Sequence, residues 1–229
     1  MNNWKTIWNK RKAVSSDNVL EKLIALNGFD SGAGKIDVCE WENYWEYITR
    51  MLGVDYGESI FEFGCGAGAL LWKYYQNGLR VGGCDYSKIL IDNAKEHMKG
   101  EFYAESVIDV NPKHIYDYAI SNSVFQYFDS YQYAINVIEK MLKTANKSIA
   151  ILDVNDADKK QYAEKKRRGM LSSEEYDKKY NGLEHRFYQK SWWNYLSLKY
   201  DCDITIHDQK IMNYGNADFR YNVFLIKRK

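Results

Sequence analysis

The sequence contains one proline and four cysteines in 229 residues. Cys39, Cys65, Cys84 and Cys202 have neither the paired spacing of a metal site nor the density of a disulfide framework. No metal is expected, and the thiols read as reduced in a cytoplasmic protein. No apolar run reaches 18 residues, so no membrane span is expected. The N-terminus sets Trp4, Ile7 and Trp8 among Lys5, Lys10, Arg11 and Lys12. That pattern reads as a short amphipathic helix and lacks the apolar core of a signal peptide. Neither sign of charge dominates: 32 Lys and Arg face 31 Asp and Glu, for a formal charge of +1. No nucleic-acid partner is expected from that balance. The local exception is Lys159-Lys160 with Lys165-Lys166-Arg167-Arg168, which reads first as a solvated helix face and second as a lid with affinity for phosphate. The scarcity of proline and the twenty tyrosines carry no functional message. The length suits one domain with a sizeable core.

What the sequence does have is a glycine turn at residues 61–70, Phe-Glu-Phe-Gly-Cys-Gly-Ala-Gly-Ala-Leu. Residues 58–63 before it read as a short strand, and residues 69–75 after it as the start of a helix. Gly64, Gly66 and Gly68 permit a sharp turn close to a ligand, and the helix directs free N–H groups into the same space. Glu62 ends the strand. Around this turn the chain alternates. Residues 15–38 are polar and glycine-bearing. Trp41, Tyr44, Trp45, Ile48 and Leu52 recur at helical spacing and stop at Gly53. Further strands are expected at 80–84, 101–104, 116–121 and 148–152, the last buried on both faces. Helices are expected after Ser87, a candidate cap, and over 131–142. Strands alternating with helices imply an α/β fold with a parallel, doubly wound sheet. Beyond Asp153 the character changes. Residues 156–183 are charged and helical, with Ser172 and Glu175 spaced as a capping box. Trp192, Trp193, Leu196 and Tyr200 suggest another helix, and strands at 203–207 and 219–226 close the chain.

Two enzyme chemistries compete for the turn. Gly64-x-Gly66-x-x-Ala69, with Asp85 about 20 residues on, fits a loose dinucleotide fingerprint. Against it stand Glu62, where such a strand is usually apolar, and the third glycine at Gly68, one position early. The long segment before the first strand also counts against it. Glu62-x-Gly64-x-Gly66-x-Gly68 instead resembles the first motif of class I S-adenosylmethionine-dependent methyltransferases. Asp85-Tyr86-Ser87 resembles their second-strand acid and its followers. Ala104-Glu105-Ser106 and the stretch from Asp117 to Phe128 resemble the third- and fourth-strand motifs. The resemblance covers roughly residues 41–228. It implies a Rossmann-like, mostly parallel seven-stranded sheet with the last strand antiparallel. The length and the order of elements suggest a single domain with an N-terminal helical cap over about 1–53 and, between the fifth strand and the last strands, a lid insertion over about 156–190. The stretches at 185–188, 213–216 and 220–223 are similar to small-molecule methyltransferases of bacterial surface-polysaccharide clusters.

The resemblance implies S-adenosylmethionine as cofactor and S-adenosylhomocysteine as product. Gly64, Cys65, Gly66 and Gly68 would close on the methionine and ribose of the donor. Glu62 would accept from its ammonium group, or else hold the turn's own N–H groups. Asp85 would accept the ribose hydroxyls, or else cap a helix beside Ser87. Tyr86 would lie against the adenine, and Glu105 and Ser106 would meet its edge. Ser121, Asn122 and Phe125 would surround the sulfonium. Gln126 stands where several relatives carry histidine, which leaves the base open. His185 is the candidate base, because it follows the lid and titrates near neutrality. Lys35, Tyr44, Gln126, Arg186 and Tyr188 are candidates for the acceptor. The acceptor is expected to be a small molecule, phosphorylated or glycosidic, such as a sugar or sugar-nucleotide. Oxygen is slightly preferred to nitrogen. The alternatives are a nicotinamide-dependent oxidoreductase and a non-catalytic partner subunit with the same fold. Base methylation of nucleic acid is disfavoured by the charge balance and by the lack of an Asn-Pro-Pro-Tyr-type sequence.

Overall fold

In the computed structural model, which describes residues 3–11, 16–169, 172, 174 and 183–228, the described strands form one sheet. They are β1 (Ser59–Phe63), β2 (Arg80–Cys84), β3 (Gly100–Tyr103), β4 (Tyr116–Asn122), β5 (Ala145–Asn155), β6 (Cys202–Asp208) and β7 (Arg220–Lys227). The spatial order is β3-β2-β1-β4-β5-β7-β6. Pairs among β1 to β5 are parallel, and β7 runs antiparallel to both its neighbours. The α/β, mostly parallel seven-stranded sheet expected from the sequence is therefore the observed one. Its order reverses at β1 and β4, whose C-terminal ends carry the glycine turn and the loop at 123–128. Open α/β sheets bind ligands at such a switch point.

Alternation along the strands divides the core into two layers. Phe61, Phe63, Ile149, Ile151, Val223 and Leu225 face α6 (Tyr131–Thr144) and α8 (Lys190–Tyr200), whose Ala134, Ile138, Met141, Trp193 and Leu196 cover them. Ile60, Val81, Ile120, Ala150, Leu152 and Phe224 face the opposite way. There they meet α2 (Val19–Leu26), α3 (Val38–Leu52), α4 (Ala69–Gln76) and α5 (Lys88–His97). Each fully buried aliphatic or aromatic side chain contributes about 1.5–3 kcal/mol, so both helical layers are held chiefly by these faces.

Several boundaries differ from the sequence expectation. β5 runs three residues further at each end than 148–152, because Ala145 and residues 153–155 are also buried. Helix α2 lies inside the stretch that reads as polar and glycine-bearing. Leu20, Leu23, Ile24 and Leu26 form its buried stripe, and Asn18 caps it by accepting from the Glu21 N–H at 3.2 Å. The short N-terminal helix α1 spans Asn3–Trp8. Of the expected insertion at 156–190, the structure describes a 3-10 turn at Ala157–Lys159, helix α7 (Lys160–Arg168) and the segment from Leu183 onward. The capping box expected at Ser172 and Glu175 falls on Glu175, which lies outside the described residues.

Candidate active site

The turn after β1 is left-handed at three alternate residues, with φ of 76° at Gly64, 56° at Gly66 and 83° at Gly68. Space is as restrictive as torsion at the first two. A Cβ on Gly64 would sit 2.5 Å from Val124, and one on Gly66 2.4 Å from the Asn27 carboxamide. The glycines thus serve the packing of the turn against its own chain as well as access to a ligand. Every N–H of residues 64–68 has a protein partner. Gly64 and Cys65 donate to the Cys84 carbonyl, and Gly68 donates to the Cys65 carbonyl. Gly66 donates to Asp85 Oδ2 at 3.1 Å, and Ala67 to Asn27 Oδ1 at 2.7 Å.

That pattern bears on the structural alternatives for the two acids. Glu62 does not hold the turn's N–H groups, since all of them go elsewhere. Its Oε2 is buried with no hydrogen-bond partner. Burial, followed by the neighbouring Asp85 charge, pushes its carboxyl well above the usual range. Asp85 combines two tasks, with Oδ2 taking the Gly66 N–H and Oδ1 the Ser87 N–H at 2.8 Å. Burial raises its pKa to about 6, against these two stabilising bonds. Ser87 stands at the cap position of α5, but its side chain makes no capping bond and its buried hydroxyl has no partner. The Asp85 carboxylate meets the Ser87 N–H instead.

A cavity of about 630 Å³ opens above the strand tips. Gly64, Gly66, Asp85 and Tyr86 line it after β1 and β2, with Ser106 and Val107 beyond β3. Asn122, Ser123 and Gln126 line it at and after β4, and His185, Tyr214 and Arg220 complete the lining, Arg220 from the start of β7. Helix α1 forms a wall with Trp4, Ile7 and Trp8. Other candidate residues stand outside this lining. Cys65 and Gly68 belong to the turn's inner side, and the Ser121 hydroxyl donates to the Phe63 carbonyl at 2.9 Å. Phe125 packs against Phe128, Tyr188 and Trp193, and Glu105 is exposed.

The acceptor candidates divide in the same way. The His185 ring stacks on Trp4 with centroids 4.8 Å apart, and neither ring nitrogen has a hydrogen-bond partner. Burial, then the charges of Arg167 and Arg220, hold its pKa well below the usual histidine value, so the ring is neutral at neutral pH. Gln126 is buried. Its Nε2 donates to the Ser123 carbonyl and hydroxyl at 2.7 and 2.9 Å, while Oε1 has no partner. Lys35 instead pairs with Asp37 at the surface. Arg186 is tied to the carbonyls of Phe128 and Asp129. The Tyr188 hydroxyl is used by the Phe125 carbonyl at 2.9 Å. The Tyr44 hydroxyl lies buried between Asn122 Oδ1 at 3.0 Å and Asn222 Oδ1 at 3.3 Å.

Two contributions escaped the sequence reading. Asn27, just past α2, accepts from Ala67 and donates to the Cys65 carbonyl at 3.0 Å, so it clasps the turn from both sides. The second is Asp153, a buried carboxylate near the end of β5. It receives the hydroxyls of Ser123 at 2.8 Å and Tyr214 at 2.9 Å and faces Arg220 at 3.4 Å.

Residues 61–147 match a protein family described as "Methyltransferase domain". No curated protein sequence matches the chain. Among solved structures, the chain is similar to magnesium protoporphyrin IX methyltransferase from Synechocystis PCC 6803 with bound SAM. Identity is 13%, with 98% of this chain and 97% of that one covered and a TM-score of 0.63. It is similar to the plantazolicin methyltransferase BpumL in complex with a pentazolic desmethylPZN analog and SAH. Here identity is 16%, each chain is covered to 100% and the TM-score is 0.66. It is also similar to the N-methyltransferase NodS from Bradyrhizobium japonicum WM9 with SAH, at 14% identity, 93% and 100% coverage and a TM-score of 0.60. Residues 61–147 thus match a methyltransferase domain, and the chain as a whole has the fold of these methyltransferases.

Proposed function

We propose that this S-adenosylmethionine-dependent methyltransferase domain methylates an oxygen of a small-molecule acceptor, such as a sugar or sugar-nucleotide of surface-glycan synthesis. The observation that carries the reading is the continuous cavity joining the glycine turn and Asp85 to Gln126 and His185. When bound, the donor supplies an electrophilic methyl group on a sulfonium and leaves as S-adenosylhomocysteine. The chain's residues fit it. Asp85 is oriented by two backbone bonds and has lone pairs left for ribose hydroxyls. Glu62 stands outside the cavity lining and offers a buried, unpartnered oxygen that suits an ammonium group reached through water. Tyr86 and Ser106 flank the space for a base. The four free thiols agree with a reducing cytoplasm. Among the described residues no helix is long and apolar enough to cross a membrane.

On the acceptor side, orientation contributes most. Holding two reactants near contact lowers a barrier by about 7–11 kcal/mol. Gln126 Oε1 can accept from a second hydroxyl of the acceptor and so hold the reacting oxygen in line. The reacting O–H gives its proton to a ring nitrogen of His185, whose imidazole is already neutral, as the oxygen–methyl bond forms and the sulfonium's bond to that methyl breaks. His185→Gln is expected to lower turnover by roughly 100- to 10,000-fold while leaving S-adenosylhomocysteine affinity within about threefold. The check is release of S-adenosylhomocysteine from labelled donor over a panel of sugars and sugar-nucleotides. Unchanged turnover in the variant would remove His185 from the chemistry.

Donor affinity should also depend on pH through Asp85. Its pKa is raised from 3.8 to about 6, so the folded state favours the protonated form. The stability this contributes is present below pH 3.8 and is lost as pH rises through about 6. Ribose hydroxyls need the ionised form. Affinity for S-adenosylhomocysteine is therefore flat above about pH 7 and falls below about pH 6, approaching tenfold per pH unit. Calorimetry between about pH 5 and about pH 8, a span that brackets the titration, reads this directly. Because His185 is held well below its usual pKa, the limb reports on the donor-side carboxyls, Asp85 and the neighbouring Glu62, which is also pushed up; its loss in Asp85→Asn assigns it to Asp85.

A further inference from the structure

Arg220 opens β7 with 8% of its surface exposed, and it lines the cavity from a strand separated by β4 and β5 from β1, which leads into the glycine turn. Its Nη1 is fully engaged, donating to the Asp153 carbonyl at 2.8 Å and lying 3.4 Å from Asp153 Oδ2. Its Nε and Nη2 make no hydrogen bond with any described residue. The guanidinium is thus held along one edge and unpartnered along the other.

The hold on that first edge is built into the sheet. The β5–β7 register shifts between Ile151 and Val154, and Asp153 within the shift adopts a left-handed φ of 57°. Its N–H consequently leaves the ladder and donates to Asn222 Oδ1 at 2.9 Å. Its carboxylate collects Ser123, Tyr214 and, at 3.4 Å from Oδ1, Gln209 Nε2. A residue other than glycine held at positive φ costs free energy, and such residues cluster at functional sites. Ser123, also at φ 57°, follows the neighbouring strand β4. The two strained residues meet through a hydrogen bond directly beside the cavity.

We propose that the Nε–Nη2 edge of Arg220 is an oxyanion subsite for the acceptor, which carries a carboxylate or a phosphate group. That edge is a planar two-donor fork whose geometry matches two oxygens of one anion. A guanidinium this buried gains from having its remaining donors paired. The group docked there belongs to the acceptor because of topology. The donor-side residues Gly64, Gly66 and Asp85 follow β1 and β2, while β4 and β5 separate β1 from β7. Three strand spacings amount to about 14 Å. Arg167 and Arg220 both act on His185 as positive charges, against the Asp153 carboxylate paired with Arg220 and Asp129 in the cavity lining. A second guanidinium, that of Arg11, lines the same cavity, anchored on Asp30 at 3.1 and 3.2 Å.

That the anion belongs to an acceptor rests on the methyl-transfer reading, whereas the anion subsite rests on Arg220 itself. The test uses the full chain saturated with S-adenosylhomocysteine and calorimetric titration of matched probes. These are 4-hydroxybenzoate against 4-hydroxybenzamide, and phenyl phosphate against phenol. At least one anion is expected to bind about tenfold or more tightly than its neutral partner, and which anion does so identifies the source. In Arg220→Gln that preference should vanish. In Arg220→Lys, which keeps the charge and loses the fork, it should fall severalfold; this second variant decides the matter if the first does not fold. Equal binding of anion and neutral partner, no binding of either anion up to millimolar concentration, or a preference that survives both substitutions would overturn the proposal. Titration of S-adenosylhomocysteine alone reports separately on the donor reading. Should that ligand fail to bind, the probe comparison on the unliganded chain still tests the Arg220 subsite.

Discussion

Asp85→Ala is expected to weaken S-adenosylhomocysteine binding by about 100- to 10,000-fold while the protein stays folded. A hydrogen bond to a charged group is worth roughly 1.5–3 kcal/mol, and two ribose hydroxyls would each donate to this carboxylate. Every 1.4 kcal/mol is about tenfold in affinity. The substitution also frees the Gly66 and Ser87 N–H groups that Asp85 now receives, so the turn itself loses an anchor. Asp85→Asn keeps the size and one acceptor oxygen, and its loss should lie between the two. Calorimetry on both variants, with circular dichroism to verify the fold, gives the measurement. An affinity within about threefold of the parent would mean that Asp85 only caps the helix after β2.

The second large effect concerns stability. Asp153→Ala should destabilise the protein by about 3–5 kcal/mol, the usual cost of leaving a buried charge without its partner. It strands the Arg220 guanidinium and removes the acceptor shared by Ser123 and Tyr214. For a chain of this size that corresponds to roughly 6–20 °C in Tm. A melting temperature within about 2 °C of the parent would show that Arg220 and its neighbours find water or each other instead. Because the carboxylate sits between strand order and cavity floor, the same change should also weaken the anion preference assigned to Arg220.

The turn after β1 and the elements around it could be read from the sequence because their residues are close together in it. Glycines two apart, a strand of buried residues before them and an acid about 20 residues later are local features with local causes. Strands β2 and β4 and helix α8 were visible for the same reason, through their apolar period. The acceptor side was less legible. Asn27 acts on residues 65 and 67 across about 40 positions, and a lone asparagine after a short apolar helix gives no sign of it. Helix α2 itself was obscured by the polar residues and glycines on both sides. Asp153 looks like the end of a strand, yet β5 continues past it, because the register shift turns the residue inward rather than ending the pairing. The strain at Ser123 and Asp153 is a property of the folded backbone and has no signature in residue type. Arg186 and Tyr188 read from the sequence as candidates for the acceptor. Their polar atoms are spent on backbone carbonyls, while Arg220, more than 30 residues on, faces the cavity.

The central claim is that the turn at Gly64–Gly68 and Asp85 hold S-adenosylmethionine rather than a nicotinamide dinucleotide. Parallel calorimetric titrations of the parent protein with S-adenosylhomocysteine and with NADH test it most directly. The expected result is saturable binding of S-adenosylhomocysteine in the micromolar range, one molecule per chain, and no binding of NADH. Saturable binding of NADH with none of S-adenosylhomocysteine would contradict it.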